Sequence, residues 1–151
     1  MARTWNPRVA RRVLSTAAAA GVLLAGGLVA VNAQAAATGC RVTYTVSTQW
    51  SVGFTGNVAV TNLGDAVRGW QLTWTFASGQ QVTQAWNAVV TQSGPQVTAA
   101  NAGYNPDIGT NQTASFGFNG SWTGSNPVPT AFALNGVACT GTQATSPARA
   151  P

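Results

Sequence analysis

The chain has 151 residues, of which seven are basic and two acidic, with no histidine, a formal net charge of +5 and a charged fraction of only 6%. Without histidine there is no imidazole to activate a serine or cysteine nucleophile or to hold a metal, and no glycine-rich phosphate loop occurs. Neither a metal nor a cofactor is expected.

The cations crowd into the start of the chain. Residues 1–12 carry Arg3, Arg8, Arg11 and Arg12 and no acid, residues 13–31 run through Ala, Val, Leu and Gly, and the small-residue sites Ala33-Gln34-Ala35 and Ala35-Ala36-Ala37 follow. This order predicts a secretory signal peptide over 1–37 and a secreted, extracellular protein with no membrane attachment after cleavage. A retained transmembrane anchor fits less well, because the run is weakly hydrophobic and ends in cleavage sites. Arg11-Arg12, with Leu14 as its only supporting neighbour, is a weak twin-arginine signal.

Beyond residue 37 only Arg41, Arg68 and Arg149 stand against Asp65 and Asp107, a net charge of about +1. Nucleic-acid binding through a basic surface therefore loses its support. A surface poor in charge and rich in Asn, Gln, Ser and Thr suits a neutral, hydroxyl-rich partner. Two cysteines, Cys40 and Cys139, stand near the ends of the exported part, which predicts one disulfide closing nearly the whole fold. The roughly 100 residues between them suffice for one domain, 38–140, with one core.

Seven segments read as short strands: 41–47, 54–62, 70–76, 82–90, 96–100, 113–118 and 130–134. Thr, Val and aromatics fill them, and Gly, Asn, Asp and Pro separate them. No helical periodicity is found outside the leader. The fold class is all-β, an antiparallel sandwich or barrel. In 70–76, WQLTWTF, Trp70, Leu72, Trp74 and Phe76 form one apolar face and are assigned to the core. Phe54, Val58 and Val60, then Phe116 and Phe118, then Val42, Tyr44 and Val46, follow the same alternation.

Four rings are left over. In QVTQAWNAVV, a continuous strand puts Gln84, Trp86 and Ala88 on one face and Thr83, Ala85, Asn87 and Val89 on the other, and neither is a clean apolar stripe. The strand alone leaves Trp86 open between a covered core ring and an exposed one beside an amide. Trp50 in STQWSVG, Tyr104 in NAGYNP and Trp122 in NGSWTGSN also lie outside any apolar alternation. Several such rings on one small domain point to a surface that stacks something flat.

Catalysis has little to work with. Glycoside hydrolysis needs two carboxylates flanking the bond, whereas Asp65 and Asp107 both sit in turn signals. Residues 141–151, TQATSPARAP with one preceding glycine, lack large apolar side chains and read as a flexible tail or the start of a linker.

From Cys40 to Cys139 the chain resembles the family 2 carbohydrate-binding modules, the bacterial cellulose-binding domains attached to secreted cellulases and xylanases. The shared pattern is ordered: WSVGFTGNVAVTN, GWQLTWTF, GQQVTQAWNAVVTQSG, NAGYN, SFGFNGSWTGSN, PTAF and LNGVAC. The resemblance implies a β-sandwich of jelly-roll or immunoglobulin-like kind whose terminal cysteines pair, and a flat face on which three aromatics stack on glucose rings. By motif position Trp50 and Trp86 match two of these, and Tyr104 occupies the third, where many members have Trp. Asn57, Gln84 and Asn119 match polar neighbours of that face, Thr48 and Ser115 stand where some relatives carry Asn and Gln, and Trp122 lies in the GSWTG segment, where the residue varies between members and its role stays open between a rim contact and none. Gly53 matches the cellulose-binding subtype, since xylan-binding members tend to carry Arg there. The resemblance thus implies a monomeric, non-catalytic module on crystalline cellulose, with chitin as a secondary ligand, beside a downstream or separate glycoside hydrolase. The alternative is a structural or adhesive surface protein on another polysaccharide such as chitin or xylan.

Overall fold

A computed structural model describes residues 39–140 and 143–145. The signal peptide read over 1–37 lies outside the described residues. In chain order the strands are β1 (Cys40–Trp50), β2 (Gly53–Asn62), β3 (Val67–Arg68), β4 (Gln71–Thr75), β5 (Gln81–Trp86), β6 (Ala88–Ser93), β7 (Gln96–Asn101), β8 (Asp107–Ile108), β9 (Thr113–Ser121), β10 (Phe132–Leu134), β11 (Val137–Ala138) and β12 (Gln143–Thr145). They form one sheet in the order β12-β1-β2-β9-β5, a second in the order β11-β10-β4-β7-β6, and the small ribbon β3-β8. Among the described residues pairing is antiparallel except for β12, which runs parallel to β1 within the stretch read as a tail. The all-β antiparallel sandwich expected from the sequence is what the chain forms.

The inner faces are the alternating apolar positions. Val42, Tyr44, Val46, Phe54, Val58, Val60, Phe116 and Phe118 come from the first sheet, and Leu72, Trp74, Val97, Ala99, Phe132 and Leu134 from the second. Trp74 stands at their centre, with Phe116, Phe118 and Phe132 at ring distances of 6.2, 5.8 and 5.9 Å, and Trp70 stacks on Phe116 at 5.7 Å. Both tryptophans are at most 2% exposed, as the alternation requires. Cys40 and Cys139 are joined, with Cα atoms 4.5 Å apart, which ties the start of β1 to the far end of the second sheet.

Glycines inside strands usually weaken them, because they add backbone entropy and bring no side chain to pack. Here two of them serve the core. Gly56 on β2 is the cross-strand partner of Phe118 on β9, and Gly120 on β9 is the partner of Phe54 on β2. A Cβ on Gly56 would stand 2.7 Å from Phe118 Cζ, and one on Gly120 2.6 Å from Phe54 Cε1. Each ring therefore lies across the bare backbone opposite it and covers it.

One predicted strand is corrected. The segment 82–90 is not continuous: it breaks at Asn87, and its halves belong to opposite sheets, β5 to the first and β6 to the second. Asn87 has φ +61°, a left-handed conformation that asparagine tolerates better than most residues. The chain turns the corner of the sandwich there, so Ala88 does not share a face with Trp86. A bulge between Val82 and Gln84 also resets the alternation, sending Val82 and Ala85 towards the core and Gln84 and Trp86 outward. A second bulge, between Val46 and Thr48, carries β1 on to Trp50, which thus ends a strand rather than following one.

Candidate functional site

The outer face of the first sheet is built in cross-strand rungs. At one end, Trp50 on β1 pairs with Gly53 on β2, which pairs with Ser121 on β9. The next outward rung is Thr48, Thr55, Asn119 and Gln84, and the one after it is Thr45, Asn57, Gly117 and Trp86. Trp50 and Trp86 are 46% and 39% exposed, which separates them from the core tryptophans. The rungs that carry them are four residues apart along β2, about 13 Å at strand spacing.

Both rings lie over glycine. A Cβ on Gly53 would stand 2.6 Å from Trp50 Nε1, and one on Gly117 2.6 Å from Trp86 Nε1, with the six-membered rings closer still. No side chain fits under either indole. The bare backbone lets each ring fold down across the neighbouring strand and present its other face to solvent.

Polar groups fill the rung between them. Thr55 Oγ1 donates to Asn119 Oδ1 at 2.9 Å, and Asn119 Nδ2 donates to Gln84 Oε1 at 3.5 Å. These bonds orient two amides at the centre of the face. Asn57 is exposed in the Trp86 rung, and with Thr43, Thr45, Ala59 and Ser115 it lines a shallow recess of about 300 Å³ beside Trp86.

Tyr104 belongs to the loop between β7 and β8 and is 72% exposed. Its hydroxyl donates to Asn87 Oδ1 at 2.6 Å, so the residue that turns the corner after Trp86 also holds the third ring. The six residues singled out from the sequence, Trp50, Asn57, Gln84, Trp86, Tyr104 and Asn119, are thereby brought to the outer face of one sheet and its adjoining corner.

Trp122, whose role the sequence leaves open, is not a ring of the exposed face. It is only partly exposed and packs on the core cluster. Its backbone N–H donates to Val52 O at 3.2 Å, and its indole N–H donates to Trp50 O at 3.1 Å and Gly53 O at 3.3 Å. The ring clamps the two-residue turn that carries Trp50. Gly117, Asn87 and this use of Trp122 were not read from the sequence. The available signals were a glycine in phase with outward positions of β9 and an asparagine directly after Trp86.

The carboxylates lie elsewhere. Asp65 follows β2 beyond Asn62, at the opposite end of that strand from Gly53, about 30 Å away. There Asn62 Nδ2 donates to Asp65 O and Ile108 O while its Oδ1 accepts from Gly64 N–H, so that end is tied by a buried amide. Asp107 stands opposite Arg68 in the β3-β8 ribbon.

Comparison with known proteins agrees with this geometry. Residues 40–139 match the cellulose binding domain family. The chain is 46% identical over 107 residues to endoglucanase CelA of Streptomyces lividans, a match covering 70% of this chain. It is 48% identical over 124 residues to exoglucanase A of Cellulomonas fimi, covering 81% of this chain. It spans 23% and 14% of the lengths of those two relatives. The chitin-binding domain of Chi18aC from Streptomyces coelicolor superposes with a TM-score of 0.57 at 40% identity, over 71% of this chain and 100% of that one. The motif resemblance is borne out, and the chain belongs to the cellulose binding domain family, the family 2 carbohydrate-binding modules, so that residues 40–139 are a binding module rather than a catalytic one.

Proposed function

We propose that this domain adsorbs to crystalline cellulose through the face of Trp50, Trp86 and Tyr104, with Asn57, Gln84 and Asn119 bonding to sugar hydroxyls at the edges of the stacked rings. The single observation that carries this reading is the pair of exposed indoles lying flat over Gly53 and Gly117 on one sheet. A sugar ring has an apolar C–H face and a rim of hydroxyls. An indole removes the face from water while amides meet the rim. If each ring covers on the order of 100 Å², stacking contributes roughly 2 to 3 kcal/mol per ring before ordering losses. Three rings on a rigid ligand then support micromolar binding, about 8 kcal/mol.

Gly53 favours a planar face, because any side chain there lifts the Trp50 ring. Chitin is the second reading, favoured by the likeness to a chitin-binding domain. The leader over 1–37 and the disulfide support export to the extracellular space, where the module acts as a monomer beside a glycoside hydrolase, on the same chain or a separate one.

Depletion from solution by microcrystalline cellulose, chitin and insoluble xylan tests the reading. Strong depletion by cellulose is expected, lost in Trp50→Ala and Trp86→Ala with circular dichroism unchanged. Two variants that sediment with cellulose like the parent would overturn the aromatic-face assignment.

A further inference from the structure

We propose that Asn87 is a positioning residue for the third ring of the face, holding the Tyr104 phenol so that this ring is set before ligand arrives. The inference rests on the polysaccharide-binding reading and deepens it. Tyr104 differs from the two tryptophans in how it is supported. It stands in a loop and is 72% exposed, and it has no cross-strand glycine to lie on. A ring so placed and left untethered loses rotamer freedom when it stacks, which subtracts from affinity.

The tether is a chain of bonds that starts in the core. Buried Trp70 donates through Nε1 to Asn105 O at 2.8 Å, and Asn105 Nδ2 donates to Asn87 O at 2.8 Å. Asn87, fixed in the left-handed region at φ +61°, then accepts the Tyr104 hydroxyl on Oδ1 at 2.6 Å. Asn87 directly follows Trp86, so the same corner sets the second ring and the third. The phenol hydroxyl thus does work here that a phenylalanine at this position cannot reproduce, since only an O–H reaches the amide.

Three variants isolate the tether. Asn87→Gly keeps the positive φ and the carbonyl that Asn105 uses, and removes only the acceptor for the phenol. Tyr104→Phe removes the donor, and Asn87→Asp retains an acceptor. Side-chain order of Tyr104 is read by NMR relaxation in the free protein, with buried Tyr44 as internal control, and adsorption is read by depletion isotherms on microcrystalline cellulose. Asn87→Gly and Tyr104→Phe are each expected to weaken adsorption about threefold to fivefold, with no further loss in the double variant. Asn87→Gly lowers the order of Tyr104 but not of Tyr44, Asn87→Asp restores both readouts, and melting temperatures stay level. Unchanged Tyr104 order in Asn87→Gly, or single effects that multiply in the double variant, overturns the proposal. A parent that adsorbs to no polysaccharide refutes the binding face instead, and ring order still decides the tether.

Discussion

The four strand glycines opposite aromatic rings make opposite predictions on the two faces of one sheet. Consider Gly117→Ala. The new Cβ would stand 2.6 Å from Trp86 Nε1, where carbon contacts settle at about 3.5 to 4.0 Å, so the indole must retreat by about 1 Å. A ring lifted along one edge leaves a gap of that order under part of a flat ligand, which forfeits roughly a quarter to a half of its contact energy. Against about 2 to 3 kcal/mol for a well-seated ring, the loss is about 0.5 to 1.5 kcal/mol, or roughly twofold to twelvefold in affinity. Trp86→Ala removes the whole ring and weakens binding roughly 30- to 150-fold on the same scale. Gly117→Ala leaves thermal stability near the parent's, because the ring has solvent to move into and alanine loses less backbone entropy than glycine.

Gly56→Ala reverses the pattern. Its Cβ would meet Phe118 Cζ at 2.7 Å inside a closed core, where overpacking costs about 1 to 3 kcal/mol and the melting temperature falls by several degrees. Gly120→Ala is harsher, since its Cβ also meets Gln81 O, a backbone atom that cannot swing aside, at 2.9 Å. The assay pairs depletion isotherms on microcrystalline cellulose with thermal unfolding followed by circular dichroism. Gly53→Ala and Gly117→Ala that adsorb as tightly as the parent, while Trp86→Ala does not, would refute the claim that the glycines set the rings flat.

Trp122→Phe keeps the apolar packing but removes the N–H that bridges Trp50 O and Gly53 O. A stability loss of about 1 kcal/mol and a few-fold loss of adsorption are expected, checked by melting and depletion in parallel. Replacing both Cys40 and Cys139 by serine opens a loop of 99 residues and lowers stability by about 4 to 5 kcal/mol on the chain-entropy account, measured by urea unfolding. Burial pushes the Tyr44 phenol well above its ordinary range, so the folded state holds its proton more tightly than the unfolded state does. The stability tied to Tyr44 is full below about pH 10 and falls as pH rises past it, and its phenolate absorbance should appear only as the domain unfolds. With no histidine in the chain, adsorption should be flat from about pH 5 to 8.

The buried half of this fold was legible because period-two alternation is a direct record of which face meets the core. WQLTWTF assigned Trp70, Leu72, Trp74 and Phe76 to the interior without help. The candidate site was assigned only through the family motif, since the alternation left Trp86 undecided. The reason is physical: the bulge at Thr83 and the corner at Asn87 each break the period within five residues, so a single phase drawn through 82–90 puts Ala88 on the wrong sheet. What stayed hidden, Gly117 under Trp86 and the clamp by Trp122, depends on which residues face each other across strands distant in sequence. Strand propensity carries no such register.

That register also explains how one sheet can be both core wall and the proposed binding face. On β2 and β9, glycine occupies Gly53 and Gly56, then Gly117 and Gly120, three residues apart in each strand, and an odd spacing puts the two members of each pair on opposite faces. Phe54 and Phe118 lie inward over Gly120 and Gly56, while Trp50 and Trp86 lie outward over Gly53 and Gly117. A ring laid across a bare backbone on either side adds thickness without a protruding Cβ. The inner surface can then close on Trp74, and the outer one stays flat enough to meet a planar ligand. Flatness outside and packing inside are thus set by the same two strands. A shift of β9 against β2 by one residue would turn Phe118, Gly117 and Gly120 to the wrong side at once, leaving only Trp50 over Gly53 in place.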